Sequence, residues 1–319
     1  MATRQPYNKT TLSCPICESH QPDDYSIVGY GSQPPGGVTH FAVLRCRRHG
    51  VEFADALPMA QGHDTAASKI NLTAMYGEDP RKSSPRYVEF MDLVEAVVGS
   101  RTGGTLHDVG CGVGHLLFEA RRRGWEVQGS DIVSGVKSGL DRNGINCFIG
   151  SLSNLEIPSE TCDVVTSLCV LPQHLTEPTP DMVAVARILK PGGWFVLQFP
   201  DNGTFRRVGR MVSRVLGDYS ISRQIMANLY GPGGHQFAFT RKNLEEYLSM
   251  FGFKEIIFQP YSGSPKCTLA RFRERPILYR AAASIGVHGL RIAGEVLRIP
   301  NHSIAFARKT GRRQSNLTR

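Results

Sequence analysis

The spacing of the hydrophobic positions changes near Thr105, and this change separates two regions of the chain. From Thr105 onward, short apolar runs alternate with amphipathic segments. The alternating segments are residues 106–109, 113–123, 125–129, 146–149, 164–168, 182–189 and 194–199. Strands that alternate with helices at this pitch predict an α/β fold built on a doubly wound parallel sheet.

Ahead of this region, the apolar positions follow a helical spacing. They are Tyr87, Phe90, Met91, Val94, Val97 and Val98. The pattern stops at Gly99, a residue type that commonly ends helices. We therefore predict that residues 55–100 form a helical connector that caps the following domain.

The composition is that of a globular protein, with 41% hydrophobic and 20% charged residues in a chain of 319. The net charge of +9 is unevenly placed, because residues 271–319 hold 11 basic residues and two acids. The rest of the chain is therefore neutral. A neutral body excludes a protein whose whole surface is built to hold polyanions.

Two closely spaced pairs of metal-ligand residues lie near the N-terminus. The first pair is Cys14 and Cys17, and the second is Cys46 and His49. A spacing of two residues lets one turn aim both side chains at a single point, so two such turns supply four tetrahedral ligands for zinc. We predict a zinc-ribbon-like module over residues 1–54 with a structural Zn²⁺. The alternative is that the four residues are unrelated.

The first turn of the predicted sheet is rich in glycine. Gly110, Gly112 and Gly114 follow a strand and open a helix, where the backbone can approach a ligand closely. A nicotinamide dinucleotide site would have Gly or Ala at the position that His115 occupies, so the spacing argues against that cofactor. Asp131 ends the second strand, where a carboxylate can accept hydrogen bonds from both ribose hydroxyls.

Further segments extend this pattern into a family resemblance. Asp108 precedes the glycines, and the segments 162–168, 188–197 and 235–253 follow in order. Together they resemble the class I S-adenosylmethionine-dependent methyltransferases, in particular the small-molecule branch with the ubiquinone-type O-methyltransferases. The resemblance covers about residues 100–265 and implies a Rossmann-like sheet of seven strands, within a domain that we place at residues 101–311.

The resemblance also implies roles for individual residues. The glycines of the first turn would pack against the methionine part of the cofactor. Asp108 would orient its amino group, and Asp131 would hold the ribose. Ser151 and Leu152 would lie at the adenine, and Leu168 would face the methionine side.

Two histidines are candidates for the general base that removes a proton from the acceptor. His174 follows the fourth strand and His235 follows a Gly/Pro loop, and both loops lie where ligands bind in open α/β sheets. The alternative is that each histidine hydrogen-bonds a loop or a helix end. The ubiquinone-type relatives carry acids where this chain has Cys169 and Gln173, so a metal-assisted deprotonation is not expected.

The basic C-terminal part is predicted to interrupt the sheet. Residues 302–308 resemble the last strand, so residues 265–300 would be an insertion before it. Within this insertion, residues 276–298 form an amphipathic pattern with a basic face, which is typical of membrane-surface or partner-binding helices. The alternative is that the apolar face packs on its own domain. Residues 312–319 would be a basic tail.

These patterns predict transfer of a methyl group from S-adenosylmethionine to an oxygen of a small molecule, which is lipid- or sugar-linked. One alternative is an rRNA or tRNA methyltransferase that holds RNA with the zinc module and the tail; nucleic acid is the less favoured partner. Another is a cofactor-binding protein without catalysis. No export signal and no run of about 18 apolar residues is found, so we expect a cytoplasmic enzyme, with peripheral membrane contact through residues 276–298 as one option.

Overall fold

The computed structural model describes residues 13–33, 39–55, 79–100, 102–201, 215, 235–261 and 302–310. The strands are β1 (Tyr25–Gln33), β2 (Thr39–Cys46), β3 (Glu52–Ala54), β4 (Thr105–Val109), β5 (Glu126–Asp131), β6 (Asn146–Ile149), β7 (Cys162–Leu168), β8 (Leu189–Pro200), β9 (Phe237–Ala238), β10 (Phe253–Tyr261) and β11 (His302–Lys309). The α-helices are α1 (Pro85–Val98), α2 (His115–Arg122), α3 (Lys137–Asp141), α4 (Thr179–Ile188) and α5 (Arg241–Ser249).

Seven strands form the main sheet in the order β10-β11-β8-β7-β4-β5-β6. The five strands from β8 to β6 run parallel, whereas β11 lies antiparallel between β8 and β10. This arrangement confirms the predicted Rossmann-like sheet of seven strands. It also confirms the last strand, because β11 covers the predicted residues 302–308.

The two faces of the sheet are covered by different helices, as the alternation of side chains along each strand requires. Val164 and Val196 pack with α1 and α2 on one face, whereas Val165 and Phe195 pack with α4 and α5 on the other. Helix α1 confirms the helical spacing ahead of Thr105. It ends at Gly99, whose positive φ of 87° closes the last turn.

The N-terminal part forms a second sheet in the order β1-β2-β3-β9. Its last strand comes from far along the chain, since Phe53 of β3 pairs with Phe237 of β9. Within the N-terminal part, the ring centroids of Tyr25 and Phe53 are 5.4 Å apart. The ring of Phe53 also contacts the later part of the chain, since its centroid lies 5.8 Å from that of Phe237. The predicted module of residues 1–54 therefore shares its sheet and its core with the larger domain.

Several predicted regions lie outside the described residues. They are most of the connector that precedes α1, the insertion at residues 265–300 with its basic helix at residues 276–298, and the tail at residues 312–319. Within the part of the chain that the structure describes, no helix is long and apolar enough to cross a membrane.

Candidate active site

The glycine turn between β4 and α2 has a backbone that only glycine adopts readily. Gly110, Gly112 and Gly114 have φ values of 75°, 52° and 89°. A Cβ atom at Gly110 would lie 2.4 Å from a methyl carbon of Val170, and one at Gly114 would lie 2.4 Å from a methyl carbon of Leu140. Both the backbone conformation and the close approach of neighbouring side chains therefore require glycine in this turn.

Asp131 at the end of β5 holds this turn in place. Its Oδ2 accepts a hydrogen bond from the N–H of Gly112 at 2.8 Å, and its Oδ1 accepts one from the N–H of Val133 at 2.9 Å. An ionised carboxylate has about four lone-pair positions, so two acceptor positions remain. The side chain is partly exposed. Asp131 can therefore accept further hydrogen bonds from a ligand that carries hydroxyl groups.

Asp108 lies at the end of β4 and is buried, with 4% of its surface exposed. Burial raises the pKa of Asp108 to about 7, and the nearby negative charge of Asp131 acts in the same direction. Thr166 opposes this shift in pKa, because its hydroxyl donates to Oδ1 of Asp108 at 2.7 Å. A cation bound beside these two carboxylates would favour the ionised form of Asp108.

The segment predicted to lie at the adenine is held by an acid that the sequence did not reveal. Ser151 donates its hydroxyl to Oδ2 of Asp181 at 2.7 Å, and the N–H of Ser153 donates to Oδ1 at 2.6 Å. The side chain of Leu152 is buried in the hydrophobic core, so only its backbone can face a ligand. Leu168 ends β7 and is partly buried against the core under α1.

The two predicted histidines lie next to each other. The ring centroids of His174 and His235 are 4.7 Å apart, with the rings tilted by 43°. The carbonyl oxygen of Gln173 accepts hydrogen bonds from the N–H groups of Gln236 and Phe237 at 2.5 and 3.0 Å, which joins the two loops. The structure thus brings together two candidates that the sequence pattern could place only separately.

Gln173 is the third polar side chain of this corner and is buried, with 1% of its surface exposed. Its Nε2 donates to the carbonyl oxygen of Gln198 at 3.0 Å. Its Oε1 has no hydrogen-bond partner among the described residues. Cys169, in the other acidic position of the relatives, adopts a positive φ of 61°, which is rare for a residue with a side chain.

The predicted zinc ligands form one cluster. The ligand atoms of Cys14, Cys17, Cys46 and His49 all lie within 4.8 Å of one another. The sulfurs of Cys17 and Cys46 are 3.8 Å apart, and Nδ1 of His49 lies 3.8 and 3.7 Å from the sulfurs of Cys14 and Cys46. Zinc–sulfur bonds of about 2.3 Å give a tetrahedron with edges of about 3.8 Å. The side chains therefore match the size and chemistry of a tetrahedral zinc site.

The surroundings of the cluster also suit a cation. Burial raises the pKa of the Cys14 thiol, and the neighbouring thiols add to the shift. A bound divalent cation would reverse that effect by stabilising the thiolates. Nε2 of His49 lies 3.5 Å from Oε1 of Glu246 on α5, which is the position of the carboxylate that commonly orients a metal-bound histidine.

Known proteins resemble this chain in sequence and in fold. A family model described as a methyltransferase domain matches residues 84–256. The ubiquinone biosynthesis O-methyltransferase of Hahella chejuensis is 33% identical over 118 residues, which are 34% of this chain and 47% of that protein. The enzyme of the same name from Hydrogenovibrio crunogenus is 27% identical over 120 residues, which are 35% and 48% of the two chains. This chain thus spans about half the length of the curated relatives it matches.

Solved structures share the fold at low identity. One is a chain from the complex between the Haloferax volcanii Trm112 methyltransferase activator and a methyltransferase, at a TM-score of 0.51 and 15% identity, covering 77% of this chain and 97% of that one. Another is the Haemonchus contortus phosphoethanolamine N-methyltransferase 2 in complex with S-adenosyl-L-methionine, at a TM-score of 0.50 and 17% identity. The match covers 86% of this chain and 63% of that one.

The raised pKa of Asp108 predicts how stability depends on pH. The raised pKa keeps the proton on folded Asp108 up to about pH 7, whereas the unfolded residue loses it near the ordinary aspartate pKa of 3.8. Between these values the folded state binds more protons, so this group's contribution to the free energy of unfolding falls as pH rises from about 4 to about 7 and is constant above. Urea denaturation at successive pH values should show this fall in the wild type and not in Asp108→Asn.

A second variant checks the cause of the shift. Thr166→Val removes the hydroxyl that stabilises the Asp108 carboxylate. We expect it to raise the pKa of Asp108 further, so that the fall in stability continues to a higher pH than in the wild type. Identical pH profiles for the wild type and Asp108→Asn would contradict the assignment.

Proposed function

Because this chain belongs to the methyltransferase domain family, we propose that it transfers a methyl group from S-adenosylmethionine to an oxygen atom of a small-molecule acceptor. The observation that carries the proposal is the glycine turn, which is hydrogen-bonded to the carboxylate of Asp131 at the carboxyl edge of the sheet. The curated relatives support oxygen as the methylated atom, since they are named O-methyltransferases. We further propose that the acceptor is lipid- or sugar-linked.

The residues of the chain fit this donor. Asp131 would accept hydrogen bonds from the ribose hydroxyls with its two remaining acceptor positions. The glycines of the turn would lie along the methionine part, and the ionised form of Asp108 would attract its ammonium group. Ser151 and the backbone of Leu152 would lie at the adenine, and Leu168 at the methionine side. The bound donor supplies a methyl group on a positively charged sulfur, which is already activated for displacement.

The task left to the protein is to align the acceptor and to remove its proton. His174 and His235 would share this task, because their rings are in contact at the carboxyl edge of the sheet.

We also propose that Cys14, Cys17, Cys46 and His49 bind one Zn²⁺. Four protein ligands leave no open position for substrate, so the ion would be structural. Its place in the molecule supports this role, because β2 and β3 of the smaller sheet lie on either side of the turn that carries Cys46 and His49.

The donor assignment predicts the effect of Asp131→Asn. Loss of the carboxylate charge should weaken the binding of S-adenosylmethionine by about 10- to 100-fold, since hydrogen bonds to a charged group contribute about 1.5–3 kcal/mol. Isothermal titration calorimetry measures the affinity directly. Asp141→Asn is the matched control, because Asp141 is a half-exposed carboxylate on α3 paired with Lys137. Equal affinity in the wild type and Asp131→Asn would refute the ribose assignment.

If His174 and His235 are the bases, the double variant His174→Ala, His235→Ala should lose turnover but still bind S-adenosylmethionine. The rate of methyl transfer should fall by about 100-fold or more, with unchanged affinity for S-adenosylmethionine. The acceptor for this assay would first be identified by mass spectrometry, as the compound that gains a labelled methyl group when a cell extract is incubated with the enzyme and methyl-labelled S-adenosylmethionine. His20→Ala is the control, since His20 is exposed outside the site. A double variant with full activity would exclude both histidines as bases.

The metal assignment predicts one zinc ion per chain by elemental analysis. Cys46→Ser should lower this content, whereas Cys162→Ser should leave it unchanged, because Cys162 is an equally buried thiol of the main sheet. Treatment with a chelator should lower the melting temperature of the wild type, since the binding free energy of a structural metal stabilises the folded state. An unchanged melting curve after complete metal removal would contradict a structural role.

A further inference from the structure

The smaller sheet includes one short strand, β9, that follows directly after the loop of His235. Strand β9 contains only Phe237 and Ala238, which pair with Phe53 and Glu52 of β3. His235 lies two residues ahead of this strand. The position of His235 therefore depends on where β3 lies.

Gln236 strengthens this connection and is itself buried, with 6% of its surface exposed. Its side-chain Nε2 donates to the carbonyl oxygen of Ala54, the last residue of β3, at 3.3 Å. Its backbone N–H donates to the carbonyl oxygen of Gln173, the residue before His174. One residue thus joins the N-terminal sheet to the loops of both candidate bases.

The metal ligands lie at the other end of the same hairpin. Cys46 ends β2, and its N–H donates to the carbonyl oxygen of Val51 at 2.9 Å, while the N–H of Gly50 donates to the carbonyl oxygen of Cys46 at 2.9 Å. His49 lies inside this turn. A metal bound by Cys46 and His49 would therefore fix the turn from which β3 starts.

The turn between β2 and β3, which carries His49, also contacts α5, the helix that follows β9. The carbonyl oxygen of His49 accepts a hydrogen bond from Nδ2 of Asn243 on α5 at 3.3 Å, and Glu246 of the same helix faces the imidazole. The segment from His235 to α5 is therefore held at both ends by the N-terminal part. Neither β3 nor β9 is long enough to be stable as an isolated pair of strands.

We propose that metal binding at the cysteine–histidine cluster positions His235 beside His174, and so controls the acceptor side of the active site without contact with the donor. This inference rests on the proposed zinc site and on the proposed bases. Asp108, Asp131 and the glycine turn belong to β4, β5 and the loops that follow them, on strands that do not pair with the smaller sheet. Donor binding is therefore expected to survive a change that disturbs β3 and β9.

The experiment removes zinc from the full-length wild-type protein with a chelator below its melting temperature. We expect the turnover number to fall by about 10- to 100-fold, as small displacements of catalytic groups commonly cause, with the dissociation constant of S-adenosylmethionine unchanged. Adding zinc back should restore turnover. Equal turnover with and without zinc, or a parallel loss of turnover and donor affinity, would overturn the proposal.

A second measurement does not depend on activity. Imidazole NMR signals should show contacts between the rings of His174 and His235 in the zinc-bound protein and lose them in the metal-free protein. Retention of these contacts without zinc would overturn the coupling. A zinc-bound protein that shows the contacts but transfers no methyl group would count against the proposed function alone. A protein that binds no zinc would count against both the metal site and the coupling.

A variant of Gln236 tests the contact between β3 and the loop of His235 without changing a metal ligand. Gln236→Ala removes the hydrogen bond to Ala54 and leaves all four metal ligands. We expect wild-type zinc content and donor affinity, a reduced turnover number and weaker contacts between the two imidazoles. Ser26→Ala on β1 is the control, because it changes a partly buried side chain of the same sheet away from β9. Wild-type turnover in Gln236→Ala would overturn the proposed route.

Discussion

The hydrogen bond from Gly112 to Asp131 joins two neighbouring crossover loops at the carboxyl edge of the main sheet. A parallel sheet leaves its loops side by side at this edge, but nothing in strand pairing alone fixes their relative position. Two groups at the end of β5 do so. The carbonyl oxygen of Ser130 accepts hydrogen bonds from the N–H groups of Gly110 and Cys111, and the carboxylate of Asp131 accepts one from the N–H of Gly112. The Asp131 carboxylate thus orders the protein backbone and still has acceptor positions left for further hydrogen bonds.

The chemistry of this edge is divided between two sides. On one side lie the buried carboxylate of Asp108 and the partly exposed one of Asp131, which together favour a cationic ligand with hydroxyl groups. On the other side lie the imidazoles of His174 and His235, whose ring centroids are 4.7 Å apart. The excess positive charge of the chain belongs to residues 271–319.

The sequence predicted those parts of the molecule that depend on local patterns. The helical spacing from Tyr87 to Val98 defines α1, and the glycine turn requires glycine at fixed positions. Both patterns can therefore be recognised from the sequence alone. Two features, Asp181 and strand β9, were not predicted, because no local signal in the sequence marks them. Asp181 reaches Ser151 from a helix that follows another strand, and β9 is two residues long, too short for any periodicity. Their positions are set by tertiary packing alone.

The late arrival of β9 in the sequence affects how the chain can fold. Gln236 and Ala54 contact each other across 182 positions, so the smaller sheet cannot be completed until most of the chain has left the ribosome. Until then, the edge of β3 offers unpaired backbone groups to other strands. Contacts of such long range also slow folding, because a long loop must close before they form. During synthesis, the edge of β3 is therefore open to mispairing until β9 has been made.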